Sequence, residues 1–347
     1  MQWLASLQPV PDLQTSWFQP AVIAAVVALL SSIVTTVITI WFKDFLVVKS
    51  LLRDKLTTEY EYDQRKKLRE LIGSYHGRVL LSADSLSRRT KNLLDSNEAK
   101  KWRKADGGYN QPENYYFRTT VYRFLELYTY AHRFETQALF IDSRIADEQD
   151  FLFMQYVETF LRIAGDTHLY DDLDYDERES REHLLIDNLR EVCESCWQGE
   201  DFATIEGFRT MLRRTPGTSL RSVLEFLEGL GTDERPLRYD RMVSLHLLLM
   251  AFINTFGYEY QVYKDEAFDK AVSQIQETKV LDNLNKWIGD MGLVKDEMKR
   301  GLGTINVDWV RRGPPVRDGA AQLRRAIERS GKLTVPKEGP NEKRAEY

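Results

Sequence analysis

The hydrophobic pattern of the chain is dominated by residues 21–42, which contain no charged side chain and read AVIAAVVALLSSIVTTVITIWF. As an α-helix, a stretch of this length would extend about 33 Å, enough to cross a hydrocarbon core about 30 Å thick. Residues 1–20 contain no Lys or Arg, and Lys43 follows Trp41 and Phe42, so the flanks do not have the pattern of a cleaved signal peptide. We therefore predict a retained transmembrane helix over residues 21–42.

Positive charge lies on only one side of this predicted span. Four cations follow it closely, and no Lys or Arg precedes it. Because Lys and Arg near a span are retained on the cytoplasmic side, we predict a short extracytoplasmic segment, 1–20, and a cytoplasmic C-terminal part in a cell inner membrane. The lipid bilayer is thus a predicted partner, and anionic headgroups are expected to contact Lys43, Lys49, Arg53 and Lys55.

Small side chains recur at every fourth position within the predicted span, at Ala24, Ala28, Ser32 and Thr36. In lipid, such a face lets two helices approach closely, and hydroxyl groups can hydrogen-bond across the contact. The alternative is that the hydroxyl groups bond back to carbonyl groups of their own helix. We predict that this face packs helices together in a homo-oligomer.

The remainder of the chain has the pattern of an all-α protein. Its ten prolines leave long proline-free blocks that are rich in strong helix formers. Residues 43–104, with 16 basic and nine acidic side chains, are predicted to form a basic juxtamembrane helix or stalk. Residues 105–330 are predicted to form an α-helical cytoplasmic domain, and the polar segment 331–347 a disordered tail.

Within these regions the pattern predicts individual helices. A spacing of seven over Ile72, Val79, Leu86 and Leu93 indicates a coiled-coil seam or a bundle helix. Residues 242–256 are the most apolar stretch outside the span and are predicted to form a buried central helix rather than a re-entrant segment. Alternating apolar residues at 305–309 predict an isolated strand. Other helices are predicted over 113–141, 148–164, 178–197, 202–214, 219–230, 237–264 and 318–329.

Three patterns with potential chemistry favour ordinary structural interpretations. The aromatic residues of 113–141 have a helical period, so we expect core packing rather than a nucleic-acid surface. Cys193 and Cys196 form a single C-x-x-C without further ligands at zinc-site spacing, which favours core thiols. The acidic run 171–177 begins like a calcium loop, but Glu177 and His183 replace the Gly and Glu that such a loop requires. No cofactor or metal is predicted.

The spacing of arginine and histidine residues suggests one possible enzymatic activity. Four pairs fit R-x(4–6)-H: Arg69 and His76, Arg162 and His168, Arg178 and His183, and Arg241 and His246. This spacing resembles the motif of the HEPN family of all-helical ribonucleases. The resemblance implies that Arg stabilises phosphate charge and that His transfers a proton at a ribose 2′-hydroxyl. The candidates are Arg178, His183, Arg241 and His246.

Together these patterns predict an all-α protein with a single N-terminal transmembrane helix followed by a cytoplasmic helical bundle. The function we expect is that of a membrane-anchored interaction protein, such as a sensor, scaffold or regulatory subunit, that associates with itself and with a further protein. A membrane-perturbing effector acting through assembled spans is the first alternative, and a HEPN-like ribonuclease is the second.

Overall fold

The computed structural model describes residues 20–94, 114–175, 182–213, 218–228, 230, 237–293 and 318–330. The fold is nearly all-α, with 83% helix, which confirms the predicted class. The chain divides into two compact units, Met1–Asp63 and Gln64–Tyr347, and each is considered by itself.

Ten helices lie in the described residues, and the first is by far the longest. Helix α1 runs over 75 residues without a proline beyond its first position, and Gly73 and Gly77 do not interrupt it. The helices are α1 Pro20–Leu94, α2 Tyr115–Ala138, α3 Glu148–Ile163, α4 Ile186–Cys196, α5 Ile205–Arg213, α6 Thr218–Glu228, α7 Leu237–Phe256, α8 Asp265–Val272, α9 Thr278–Asp290 and α10 Gly319–Arg329. Short 3-10 helices cover Ser143–Ile145, Thr167–Tyr170 and Glu259–Gln261.

The first unit contains the N-terminal part of α1, whose residues 20–63 are solvent-exposed. The predicted span, 21–42, lies entirely within this helix. After it, the helix continues through residues 43–63 with no buried residue. The apolar side chains of residues 20–63 are therefore exposed.

In the second unit the C-terminal part of α1 joins the core. Leu68 is fully buried, and the residues at the seven-residue spacing follow it into the interior. Ile72, Val79, Leu86 and Leu93 are between 0% and 9% exposed, so this seam packs inside its own chain as a bundle helix and does not form a coiled-coil surface. The compact unit thus begins at Gln64, within the segment 43–104 that we predicted to be a juxtamembrane helix or stalk.

Helix α7 lies in the middle of the core, as the apolar run at 242–256 predicts. Every residue from Tyr239 to Asn254 is buried. Phe252 packs against Phe153, Tyr156 and Phe160 of α3, with ring centroids 5.3–6.0 Å apart. Such aromatic contacts stabilise a core beyond the area that they bury.

Helix α2 confirms the core-packing interpretation of its aromatic residues. Phe117, Phe124, Tyr128 and Phe134 are at most 2% exposed. The Asn114 side chain caps the helix by accepting hydrogen bonds from the backbone N–H groups of residues 116 and 117. The aromatic face is therefore buried by the fold and is not available for stacking on nucleic-acid bases.

Several element boundaries differ from the pattern-based expectation. Helix α4 begins at Ile186 rather than at 178, and residues 176–181 lie outside the described residues. We predicted one helix over 237–264, but α7 ends at Phe256. The next α-helix, α8, begins at Asp265. Strands β1 Trp197–Gln198 and β2 Asp201–Phe202 form a small antiparallel pair that the pattern did not predict. The strand expected at 305–309 and the tail 331–347 lie outside the described residues.

Candidate functional site

The exposed part of α1 carries most of the exposed large apolar side chains among the described residues. Leu29 and Trp41 are 62% and 69% exposed, and the most apolar 18-residue window of this helix has a mean hydropathy of 2.6 with no residue buried. In the described part of the chain, α1 alone is long and apolar enough to cross a membrane. A soluble protein rarely exposes such an area of contiguous apolar surface, so this segment is the first candidate functional surface.

Threonine hydroxyl groups on and beside the small-residue face of this segment hydrogen-bond to the backbone of their own helix. The Thr36 hydroxyl donates to the Ser32 carbonyl oxygen at 2.7 Å, and Thr35 and Thr39 make the same i−4 bond to residues 31 and 35. The hydroxyl protons of these three threonines are therefore donated within the helix, which is the alternative to hydrogen bonding between helices. Contact between two copies of this face would therefore depend on the close approach that Ala24 and Ala28 permit, and on hydroxyl lone pairs.

The cations after the apolar segment lie on exposed helix. Lys43, Lys49 and Arg53 are exposed. Lys55 is within 3.8 Å of the Glu59 carboxylate, with both side chains more than half exposed. An exposed pair of this kind holds its partners weakly. All four cations can therefore reach an anionic surface.

Arg241 is an internal clamp rather than an exposed phosphate-binding group. Its side chain is 1% exposed, and its guanidinium lies over the Tyr170 ring with the cation 4.3 Å from the centroid. The guanidinium donates to the carbonyl oxygens of Ile163, Asp166 and Glu182 at 2.6–3.1 Å and to the Tyr170 hydroxyl at 3.0 Å. It ties the loops after α3 and before α4 to α7.

The histidines of the two candidate pairs are buried as well. His183 is 4% exposed and hydrogen-bonds the Tyr175 hydroxyl, while Arg178 lies outside the described residues. His246 is on α7 with Arg241, yet its Nδ1 lies 3.2 Å from the Ser87 hydroxyl of α1, far from the loops that Arg241 binds. Five helical positions turn two side chains by about 140°, so this pair faces two different parts of the core.

Arg69 and His76 are seven residues apart on α1, where Arg69 pairs with Asp147 and the His76 ring stacks on Phe153. Arg162 and His168 share a pocket. Both line an open pocket of about 280 Å³ with Lys286, Trp287 and three aspartates. Arg162 is bound by Glu158 at 2.6 Å, and His168 Nδ1 lies 3.4 Å from the Asp171 carboxylate. Acidic groups therefore accompany the cations, and the pocket is a poor match for a polyanion.

Both cysteines are free and buried in the core. Burial raises the pKa of each thiol to about 12, so both stay protonated at neutral pH. A protonated, buried thiol is neither a nucleophile nor a good metal ligand. Within the described part of the chain, no group of three or more His, Cys, Asp or Glu side chains is arranged to hold a metal ion.

One polar cluster was not predicted from the sequence, because its members are far apart in the chain. Ser87 of α1 is fully buried and bridges His246 of α7 to the Tyr263 hydroxyl, at 3.2 and 3.0 Å. These contacts join positions 159 and 176 residues apart. No local motif marks them; the one available signal was a histidine inside the most apolar helix.

The structural observations thus give an exposed apolar helix, four exposed cations that follow its apolar segment, and a buried polar cluster in the folded unit. No model of a known protein family matches the chain, and neither the curated proteins nor the solved structures contain a significant match.

Proposed function

We propose that the chain is a single-pass membrane protein that holds a helical interaction domain at the cytoplasmic face of a cell inner membrane. The observation that carries the proposal is the continuous exposure of α1 over residues 20–63, with 22 uncharged residues at 21–42. In water this surface would be unfavourable by about 25 cal/mol per Å² of apolar area, whereas a bilayer would cover it.

Charge supports the proposed orientation. Lys43, Lys49, Arg53 and Lys55 are exposed on the first turns after the apolar segment. Each cation near an anionic leaflet contributes about 1 kcal/mol of attraction. This favours a cytoplasmic location for everything that follows residue 42 and an outer location for residues 1–20.

An interaction role is the activity that this arrangement supports best. The small-residue face supports self-association within the membrane, and the folded unit supplies a rigid helical surface for a further protein. A sensor, scaffold or regulatory subunit works in this way, by changing which chains lie together at the membrane. The proposal requires no cofactor, and the acidic net charge of −5 gives no support to a nucleic-acid partner.

The topology can be tested with paired reporters fused after Tyr347. We expect activity from a reporter that works only in the cytoplasm, and none from one that works only after export, because four cations hold that side inside. As a matched control, replacing Lys43, Lys49, Arg53 and Lys55 by Gln should weaken this preference and give a mixed population. An exported C-terminus in the parent protein would contradict the proposal, as would recovery of the chain in the soluble fraction.

The alternatives predict different results in the same cells. A membrane-perturbing effector would depolarise the membrane when overproduced. This depolarisation would no longer occur when residues 21–42 are replaced by an unrelated apolar helix. A ribonuclease would degrade RNA in a manner abolished by His183→Ala or His246→Ala. An interaction protein should do neither, and should retain specific cross-linked partners.

A further inference from the structure

A buried arginine without a hydrogen-bond acceptor lies between α1 and α2. Arg89 of α1 is 6% exposed, and its guanidinium stays charged because arginine does not lose its proton in proteins. Its cation lies 4.1 Å from the centroid of the Tyr116 ring. Among the described residues the Arg89 side chain makes no hydrogen bond and no ion pair, and its Nε is enclosed without a partner. Arg241 differs, because its guanidinium donates to three carbonyl oxygens and a hydroxyl.

A ring contact alone leaves this buried charge poorly compensated. Charges in protein interiors are paired, hydrogen-bonded or bound to an ion, since moving an isolated charge out of water is costly. The Tyr116 ring attracts the Arg89 cation through a cation–π contact, but it supplies neither a countercharge nor oxygen acceptors for the five N–H groups. The fold therefore holds a positive charge for which the described residues provide no anion.

Arg123 of α2 brings a second positive charge to the same interface. Its Nη1 donates to the carbonyl oxygen of Ser85 at 3.3 Å, and Ser85 precedes Arg89 by one turn of α1. Tyr116, which contacts Arg89, precedes Arg123 by two turns of α2. Burial, followed by the like charge of Arg89, lowers the pKa of the Arg123 guanidinium. Neither arginine has an ion-pair partner in the described part of the chain, although Glu126 lies one turn from Arg123 along α2.

The two arginines lie near the protein surface. The Tyr115 ring is 62% exposed, and its centroid lies 6.0 Å from the Arg89 cation. Arg123 is itself partly exposed. The pair of guanidinium groups is therefore close to solvent, where a small anion can reach it.

Two guanidinium groups favour a divalent oxyanion. Each presents N–H groups in a planar fork that matches two oxygens of a phosphate or a carboxylate. A carboxylate has one negative charge and would leave one cation uncompensated, whereas a phosphate monoester carries nearly two at neutral pH.

We propose that Arg89 and Arg123 together bind the phosphate group of a phosphate monoester, which is either a soluble molecule or a lipid headgroup. The proposal goes beyond the proposed function, because it assigns an anion to the folded unit and requires no particular orientation of the chain in the membrane. Binding would compensate the buried charge and would stabilise the folded state as the ligand concentration rises.

Calorimetric titration of the full-length chain in micelles of an uncharged detergent tests the proposal, with phenyl phosphate as the probe. Benzoate at the same ionic strength carries a single charge on a similar ring and should bind at least about tenfold more weakly. Arg89→Met and Arg123→Met each remove a charged donor and should each weaken phenyl phosphate binding at least about tenfold. Arg325→Met removes the same charge at an exposed arginine of α10, and this matched control should leave the affinity unchanged.

A stability measurement separates a binding site from a structural contact. In phosphate-free buffer Arg89→Met should melt no lower than the parent protein, because it replaces an uncompensated buried cation by an apolar side chain. A lower melting temperature would assign Arg89 to a structural contact with Tyr116 and would overturn the proposal. The proposal is also overturned if phenyl phosphate does not bind, if benzoate binds equally well, or if the partly exposed variant Arg123→Met weakens binding no more than Arg325→Met does.

Nanodiscs distinguish the two sources of the phosphate group. The full-length chain is placed in phosphatidylcholine nanodiscs with and without phosphatidic acid, whose headgroup is a phosphate monoester. A melting temperature that phosphatidic acid raises in the parent protein, but not in Arg123→Met, identifies a lipid headgroup as the ligand. A rise that occurs only with dissolved phenyl phosphate identifies a soluble ester. A rise with neither contradicts the proposal, because a ligand of the folded state must stabilise it.

Discussion

At the scale of single residues, the buried polar groups show how the folded unit is held together. Arg241 carries a charge in the core, which is costly unless the guanidinium is well satisfied. Three carbonyl groups and the Tyr170 hydroxyl accept hydrogen bonds from Nε and Nη1, whereas Nη2 has no hydrogen-bond partner among the described residues. The sequence offered Arg241 as a possible phosphate ligand because spacing alone cannot distinguish an internal clamp from an exposed cation.

His246 should make stability dependent on pH. Its pKa is lowered from 6.5 to about 3 in the folded chain, so between these values the unfolded chain binds more protons. The contribution to stability is therefore complete above about pH 6.5 and is lost as the pH falls toward 3. At pH 4.5 we expect a loss of about 2 to 3 kcal/mol relative to pH 7.

The measurement is urea unfolding of the full-length chain in detergent at pH 7 and pH 4.5. His246→Gln can still hydrogen-bond Ser87 but does not titrate, so this part of the pH dependence should disappear. His168→Gln alters a side chain that is 74% exposed and is the control. The same loss in parent and His246→Gln proteins would assign the acid sensitivity to other groups.

At the scale of elements, local pattern predicted helices well and their ends less well. The buried run 242–256 and the aromatic face of α2 follow from helical period alone. Gly257 directly follows α7, and an added Cβ there would clash with the Ile253 carbonyl oxygen. That glycine was a readable stop signal after Phe256. The strands β1 and β2 are two residues long each, too short for any period to be detected.

The assignment of the seven-residue seam shows a second limit of local pattern. Ile72, Val79, Leu86 and Leu93 have the same spacing whether a partner helix belongs to the same chain or to another. In the structure their partners are within the chain. This seam is therefore not available for a contact between copies, and the small-residue face of residues 24–36 remains the candidate.

We expect Ala28→Leu with Ser32→Leu to reduce cross-linking between copies in native membranes severalfold. Leucine side chains would separate helices that approach closely at these positions, while insertion should persist because Leu is at least as apolar. Val27→Leu with Val34→Leu changes neighbouring positions on other faces and is the matched control. An unchanged ladder in the Ala28/Ser32 variant, or no ladder in the parent protein, would exclude this face from the contact.

At the scale of the whole molecule, the boundary between the two units at 63 and 64 predicts an autonomous folded unit. Its buried apolar residues begin at Leu68 and include all of the core described for α2 to α10. Deleting residues 1–63 should leave a soluble helical protein that unfolds cooperatively in urea, because the buried apolar residues of this unit form one core. Circular dichroism provides the measurement.

A fragment that begins at residue 80 is the control for this deletion. It lacks Leu68, Leu71, Ile72, Tyr75 and Val79, which are all buried in the core. We expect it to aggregate or to unfold without cooperativity, since each lost large side chain costs about 2 to 5 kcal/mol. If the fragment from residue 64 behaved like the one from residue 80, the unit would not be autonomous.

Nonlocal contacts explain what the sequence could not reveal about the candidate site. The exposed apolar helix and its cations were readable because they are contiguous. The polar cluster was not, since Ser87, His246 and Tyr263 belong to three separate segments of the chain. Only the packing of α1 against α7 and the segment that follows it makes them neighbours.

The burial of Cys193 and Cys196 has a practical consequence, because they are the chain's two cysteines. With both thiols protonated and out of reach, the native protein offers almost no background to maleimide reagents. A single cysteine placed in turn along residues 20–63 would then be modified selectively. The periodic protection of such labels would map, residue by residue, the depth of the helix in lipid and the face it turns toward a second copy.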